Sequence, residues 1–179
     1  MPSGRTHDRI TLWSLPLVLL LAFGLTLSLW LTGLVGGGFL FGGFMFGPDL
    51  DVRSLQSRRW GWLSWIWVPY RGSLKHRSRF SHGPVVGTLV RVLYLSLWVG
   101  LLALIGIEII NALGPNPITW TEILQGLGKS FKNYWREWLA LFAGLELGAL
   151  SHYSSDWLVS DYKKSRKRRH RQQRKSGRK

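Results

Sequence analysis

The chain has 179 residues, 46% of them hydrophobic, and a formal net charge of +15. Those values exclude an ordinary soluble domain unless charge and apolar residues are segregated along the chain, and they are: eleven of the 24 Lys and Arg residues fall in the last seventeen positions. The absence of cysteine excludes disulfides and thiolate metal sites and confines any metal to nitrogen and oxygen ligands.

The N-terminal "MPSGRTHDRI" is followed by an uncharged stretch from Ile10 to Pro48. A signal peptide has an apolar region of only about 7–15 residues, so this stretch reads as retained membrane sequence. One crossing needs about 20 residues. "TGLVGGG" at 32–38 interrupts the run and predicts a helical hairpin, with one helix over 11–32 and a shorter arm over 36–47 that stops at "GPDLD". The arm is short enough to be re-entrant or tilted. Residues 51–82 form a loop with seven Lys or Arg, and its "RRWGWLSWIWVPYRG" resembles a segment lying on a membrane surface. The next apolar block, 84–113, opens with Pro84 and ends at "GPNP". An amphipathic stretch, "ITWTEILQGLGKSFKNYW", precedes a last apolar helix over 134–158. Many of the eleven tryptophans lie near the ends of apolar runs, as interfacial rings do. The tail, 163–179, is low-complexity and basic, with the composition of a disordered segment.

These elements predict an all-α, polytopic membrane protein with about four membrane segments: a helical membrane domain over 1–162 and a disordered basic tail over 163–179. Charge supports that layout. With crossings at 11–32, 36–47, 84–113 and 134–152, the N-terminus, the 48–83 loop and the tail share one face. They hold two, seven and eleven basic residues, twenty of the 24. The excess of positive charge assigns that face, and both termini, to the cytoplasm.

The same topology gathers ligand-type residues. His7 and Asp8 precede the first helix, Asp49 and Asp51 follow the hairpin, His76 and His82 precede the third crossing, and His152 and Asp156 end the fourth. Each motif has a simpler reading by itself. "THDR" is surface, and "GPDLD" is a helix-ending turn that brings its carboxylates to one side only if extended. The histidines of "HRSRFSH" are six apart, share no helical face and need a loop to converge, while Arg77 and Arg79 suffice as interfacial anchors. "GLELGALSHYSSDW" is more specific. Gly144, Gly148, His152 and Asp156, spaced by four, form one helical stripe whose glycines admit a partner helix and whose His-x-x-x-Asp end can share a metal. Taken together, the eight residues predict a divalent metal site at one membrane face. Imidazole and carboxylate suit zinc best and also manganese or iron, and the number of ligands is enough for two ions. Some of these residues, Asp8 or Asp49 among them, equally suit orienting a histidine from behind.

"PSGRTHDRIT", "GPDLD", "RRWG…WIWVPY", "HRSRFSH" with its following "GP", and "HYSSDW" resemble an uncharacterised family of metal-binding membrane proteins of bacteria and archaea, over nearly the whole chain except the tail. That family is more distantly similar to predicted membrane-bound metal-dependent hydrolases, which carry an Asp-rich turn, a His-Arg…Thr/Ser-His segment and a late His-x-x-x-Asp. The resemblance implies ligand-type roles for His7, Asp49, Asp51, His76, His82, His152 and Asp156. A looser likeness reaches the all-helical zinc phospholipase C and zinc nuclease group, which hydrolyses phosphoesters.

Three functions compete on this evidence. A metal-dependent hydrolase would act on a phosphoester or lipid-like substrate at the cytoplasmic face, with Arg77 and Arg79 stabilising anionic charge. A metal-handling protein would use the same ligands without catalysis, and Glu108 and Glu146, acids within apolar helices, would then line an ion path. A tether would bind anionic lipid or nucleic acid through the tail. There each basic residue near an anionic leaflet contributes about 1 kcal/mol, and no interleaved aromatic rings mark a base-stacking surface.

Overall fold

The computed structural model of the chain describes the backbone of residues 4–176 except Arg77 and Asn116, and the side chains of residues 6–155 with the same exceptions. All regular structure among the described residues is helical. Helix α1 (Gly4–Thr26) and helix α2 (Leu29–Phe44) form an antiparallel hairpin. A 3-10 turn (Pro48–Asp51), helix α3 (Leu55–Arg58), a second 3-10 turn (Gly61–Ile66), helix α4 (Trp67–Ser73) and helix α5 (Arg79–His82) follow as short pieces. Helix α6 (Val86–Leu113), helix α7 (Trp120–Asn133) and helix α8 (Trp135–Ser176) complete the chain. Three segments, Thr6–Thr26, Leu29–Asp51 and Val86–Leu113, are long and apolar enough to cross a membrane. The fourth expected crossing, 134–152, lies in α8, where Arg136, Glu137 and Glu146 set it apart from those three.

The hairpin bends at Leu27–Ser28, not at "TGLVGGG", which lies within α2. Leu27 takes φ +49°, a left-handed conformation that costs a non-glycine residue about 1–2 kcal/mol. Ser28 then caps α2, its hydroxyl accepting from the Leu31 N–H at 3.3 Å. The glycines do not break the helix because they admit its neighbours. A Cβ on Gly38 would stand 2.7 Å from the Leu141 carbonyl oxygen, and one on Gly42 2.5 Å from that of Leu145. From the opposite side, a Cβ on Gly144 would strike the Val35 carbonyl, and one on Gly148 would stand 2.5 Å from that of Phe39. The backbones of α2 and α8 therefore pack in direct contact, as the stripe in α8 predicts. On its other flank α2 meets α1, where Gly43 lies against Thr11 and Gly36 against Leu19.

The segment expected to lie on a membrane surface instead folds partly inward. Trp67 is fully buried and packs edge-on against Phe46, Trp60 and Tyr70 at ring distances of 5.1–5.7 Å. Phe46, Leu50, Ile66, Tyr70 and Leu145 complete this core, while Trp62 and Trp65 stay exposed. Burying a large aromatic side chain is worth about 1.5–3 kcal/mol, which holds the short helices against the end of the bundle. Val92, Tyr94, Leu95 and Trp98 of α6 pack against this core, and beyond Trp98 the helix exposes nearly all of its large apolar residues.

Helix α8 continues to Ser176, through the region whose composition predicts disorder. No Gly or Pro interrupts the chain between Gly148 and Gly177, and Lys, Arg and Gln are good helix formers. The side chains of the tail, that of His170 included, lie outside the described residues.

Candidate metal centre

The hairpin brings the start of α1 beside the end of α2, and the 3-10 turn leaves from that point. Gln56 fixes the turn: its amide donates to the Gly43 carbonyl at 3.0 Å and fills the space a Cβ on Gly47 would need. Ser54 donates to the Asp49 carbonyl at 2.8 Å. The turn is 3-10, not extended, so Asp49 and Asp51 diverge, and the His82 ring lies between them. Its Nδ1 is 3.5 Å from Asp51 and its Nε2 3.8 Å from Asp49.

The loop after α4 and the single turn of α5 supply the convergence that the six-residue spacing of the histidines requires. His76 Nδ1 lies 3.0 and 3.1 Å from the two oxygens of Asp51, whose side chain is fully buried. The His76 and His82 rings stand edge-on with centroids 5.1 Å apart. The Ser81 hydroxyl lies 2.8 Å from His82 Nδ1. Burial pushes the His82 imidazole below its usual range, against the pull of Asp51 and Asp49. The α8 stripe delivers His152, whose Nε2 is 3.2 Å from Asp49. His7 stacks on His152 at 3.9 Å, and its Nδ1 lies 2.5 Å from the hydroxyl of Ser155.

Asp51, His76 and His82 each place a ligand atom within 4.8 Å of the others, and Asp49 and His152 adjoin them. The spacing fits a metal. Bonds of about 2.0–2.1 Å in a tetrahedron put neighbouring ligand atoms about 3.4 Å apart. The orphaned atoms fit as well: Asp49 Oδ1, His82 Nε2 and both ring nitrogens of His152 are buried with no hydrogen-bond partner.

Other expected residues are placed differently. Asp8 gives both oxygens to the Arg59 guanidinium, at 2.9 and 2.6 Å, because Arg59 follows α3 directly beside the end of α2. That pairing engages both oxygens of the carboxylate. The Arg79 side chain is exposed and makes no hydrogen bond or ion pair among the described residues. Arg77 and the Asp156 side chain lie outside the described residues.

The buried arginine at this site is Arg91. It donates to the Ser81 carbonyl at 2.9 Å and to the Thr88 hydroxyl at 2.8 Å. Its only signal in the sequence is a charge inside an apolar run. Glu146 accepts from the Val85 N–H at 2.9 Å. Val85 itself has φ +62° and ψ −54°, with Val86 N–H bonded to the Pro84 carbonyl at 2.6 Å, a strained γ-turn that starts α6. Ser155, which seats His7, has no distinguishing signal in the sequence.

Comparison with known proteins agrees with metal binding. An uncharacterized protein of Aquifex aeolicus (strain VF5) is 39% identical over 61 residues, 34% of this chain and 43% of the relative, so the match spans less than half of that protein. No solved structure matches. A family described as "Uncharacterized metal-binding protein (DUF2227)" matches residues 2–166. With that match covering nearly the whole chain, and imidazoles and carboxylates gathered where a metal would need them, the chain belongs to this family of metal-binding proteins.

Proposed function

We propose that the chain is an integral membrane protein that holds a divalent ion, zinc, through Asp51, His76 and His82 with Asp49 and His152 beside them, and that the ion serves hydrolysis of a phosphoester or lipid-like substrate at the cytoplasmic face. The observation that carries this reading is the set of buried ligand atoms without hydrogen-bond partners, with His152 Nε2 and His82 Nε2 3.2 and 3.8 Å from the Asp49 carboxylate. Bound there, a divalent ion would activate water near neutral pH and polarise a phosphoryl oxygen. The residues of the chain do the rest. Asp51 fixes the His76 ring, Ser81 fixes that of His82, and stacking on His7 fixes His152.

Three apolar segments of sufficient length and the charge asymmetry of the sequence support the membrane reading. In this layout the bundle end bearing the histidines faces the cytoplasm, and the eleven basic residues of 163–179 engage anionic lipid there. Two observations favour hydrolysis over metal handling. Glu146 is engaged by the Val85 backbone, and Glu108 is exposed on α6, seventeen residues beyond Arg91 and so about 25 Å further along the helix. The two acids therefore do not line a common path with the cluster.

Metal analysis of the purified protein, joined to a phosphoesterase screen, tests the reading. Wild type should carry zinc and hydrolyse a phosphoester, and the His76→Ala/His82→Ala variant should lose both. Retention of full metal content by the double variant sinks the metal assignment. Full metal in wild type without hydrolysis of any phosphoester sinks the hydrolase.

A further inference from the structure

Next to the Asp and His cluster lies a second group of polar side chains that no ligand role absorbs. Arg91 is fully buried, and Tyr70 is only 2% exposed. Arg91 Nε, the Tyr70 hydroxyl and the Tyr153 hydroxyl are all buried without a hydrogen-bond partner. The three belong together: Arg91 lies near both phenols, the phenols lie near each other, and both lie near Asp51. The Tyr153 ring also stands 5.8 Å from that of His82. Gly87 preserves this arrangement, since a Cβ there would stand 2.7 Å from the Ser81 carbonyl that Arg91 holds and 3.4 Å from the Tyr153 hydroxyl.

A buried guanidinium is costly unless an anion compensates it. The acceptors that Arg91 faces, the Ser81 carbonyl, the Thr88 hydroxyl and the oxygens of Tyr70 and Tyr153, are all neutral, and no carboxylate lies within ion-pair distance of it among the described residues. Glu146, the other acid packed here, takes the Val85 N–H with one oxygen and lies towards Tyr153. The second oxygen of Glu146 is a buried acceptor without a partner, whereas the unfilled groups of Arg91 and the two phenols are donors. A guanidinium N–H and a phenol O–H both donate, so Arg91 Nε and the hydroxyls of Tyr70 and Tyr153 offer three buried donors. Three buried donors, one of them charged, suit an oxyanion.

We infer that Arg91, Tyr70 and Tyr153 form an oxyanion-binding pocket beside the metal cluster, and that it takes the phosphate-type group of the substrate. The inference rests on the proposed metal centre for its role in hydrolysis, although its donors are distinct from the metal ligands. It gives Arg91 the part that the sequence suggested for Arg77 and Arg79. Inorganic phosphate and a lipid phosphate headgroup share the required chemistry.

The test uses the full chain, metal-loaded, in a phosphate-free nonionic detergent. Inorganic phosphate and short-chain dihexanoyl phosphatidic acid are titrated separately by calorimetry. Wild type should bind at least one of them saturably. Binding of the lipid alone identifies the headgroup as the source, and binding of both shows that the phosphate group suffices. Tyr70→Phe/Tyr153→Phe, which keeps the ring packing, should weaken binding by about tenfold or more with metal content unchanged. Arg91→Gln should weaken it further, read only if that variant still carries metal. Wild-type affinity in the Tyr double variant overturns the inference, as does metal-replete wild type that binds neither probe. If wild type carries no metal but binds phosphate in a Tyr-dependent way, the metal reading fails and the oxyanion pocket stands.

Discussion

Asp51 sits at the centre of the site, its side chain fully buried and facing both His76 and His82. Asp51→Asn keeps the volume and removes the charge, and it should lower metal affinity by at least about 100-fold, measured by competition with a chelator. Asp8 provides the contrast. Its ion pair with Arg59 is partly exposed, so Asp8→Asn should cost about 1 kcal/mol of stability and leave metal content unchanged. If Asp8→Asn strips the metal, the carboxylate reaches the cluster and its pairing with Arg59 is not its main role. His152→Ala should lower metal content and also release His7, which stacks against it.

At the scale of elements, the α2–α8 contact depends on having no side chain at its closest points. Gly148→Ala would place a Cβ 2.5 Å from the Phe39 carbonyl and 2.6 Å from the Gly43 nitrogen, both backbone atoms that cannot rotate away. A loss of about 1–3 kcal/mol is expected, read as a lower unfolding midpoint in detergent. Gly33 and Gly37 have no such neighbours, so replacing either with alanine should be neutral or stabilise α2 by about 0.5–1 kcal/mol. Equal effects at both kinds of position would mean that α2 and α8 do not meet as described. Helix α7 rests on its N-terminal cap. The Thr119 hydroxyl accepts from the Glu122 N–H at 3.3 Å, and the Glu122 carboxylate accepts from the Thr119 N–H at 2.9 Å. The Thr119 backbone and hydroxyl hold the Glu122 carboxyl below its usual range. Its contribution is therefore present above the ordinary glutamate value of 4.5 and lost as pH falls through the lowered one. Amide hydrogen exchange at residues 120–124, corrected for intrinsic rates, should show less protection at acid pH than near neutrality, and Glu122→Gln should flatten that difference.

For the whole molecule, the bundle places His7, the end of α2, His76, His82 and His152 at one end, and the α1–α2 bend at the other. In a membrane these ends face opposite sides. Reporter fusions after Arg71 and Lys179 should report the cytoplasm, and fusions at Leu27 and Asn116 the opposite side. An external Arg71 with an internal Lys179 would rule out that layout. Deleting 163–179 should leave metal content intact, since Asp49, Asp51, His76, His82 and His152 all precede that segment.

Several features were legible in the chain alone because they follow from local chemistry. Apolar length marked the long helices, and the absence of cysteine left imidazole and carboxylate as the donors. The four-residue spacing of Gly144, Gly148 and His152 specified a close-packing stripe leading to an imidazole, because helical periodicity alone puts those positions on one face. Other features needed the third dimension. The hairpin bend at Leu27–Ser28 was hidden because glycine normally marks a break, while here the glycines of α2 are spaces for α1 and α8. Asp8 and Asp49 have the same chemistry, and only the position of Arg59 occupies one while the other stays beside His152. Arg91 could be seen as a charge in an apolar run, but its partners, Ser81, Thr88, Tyr70 and Tyr153, come from three helices besides its own stretch of α6. Spacing along a chain constrains neighbours within one helix. Which charge is paired, and which is left for a metal or an anion, depends on the packing of separate helices, and that is set by tertiary structure.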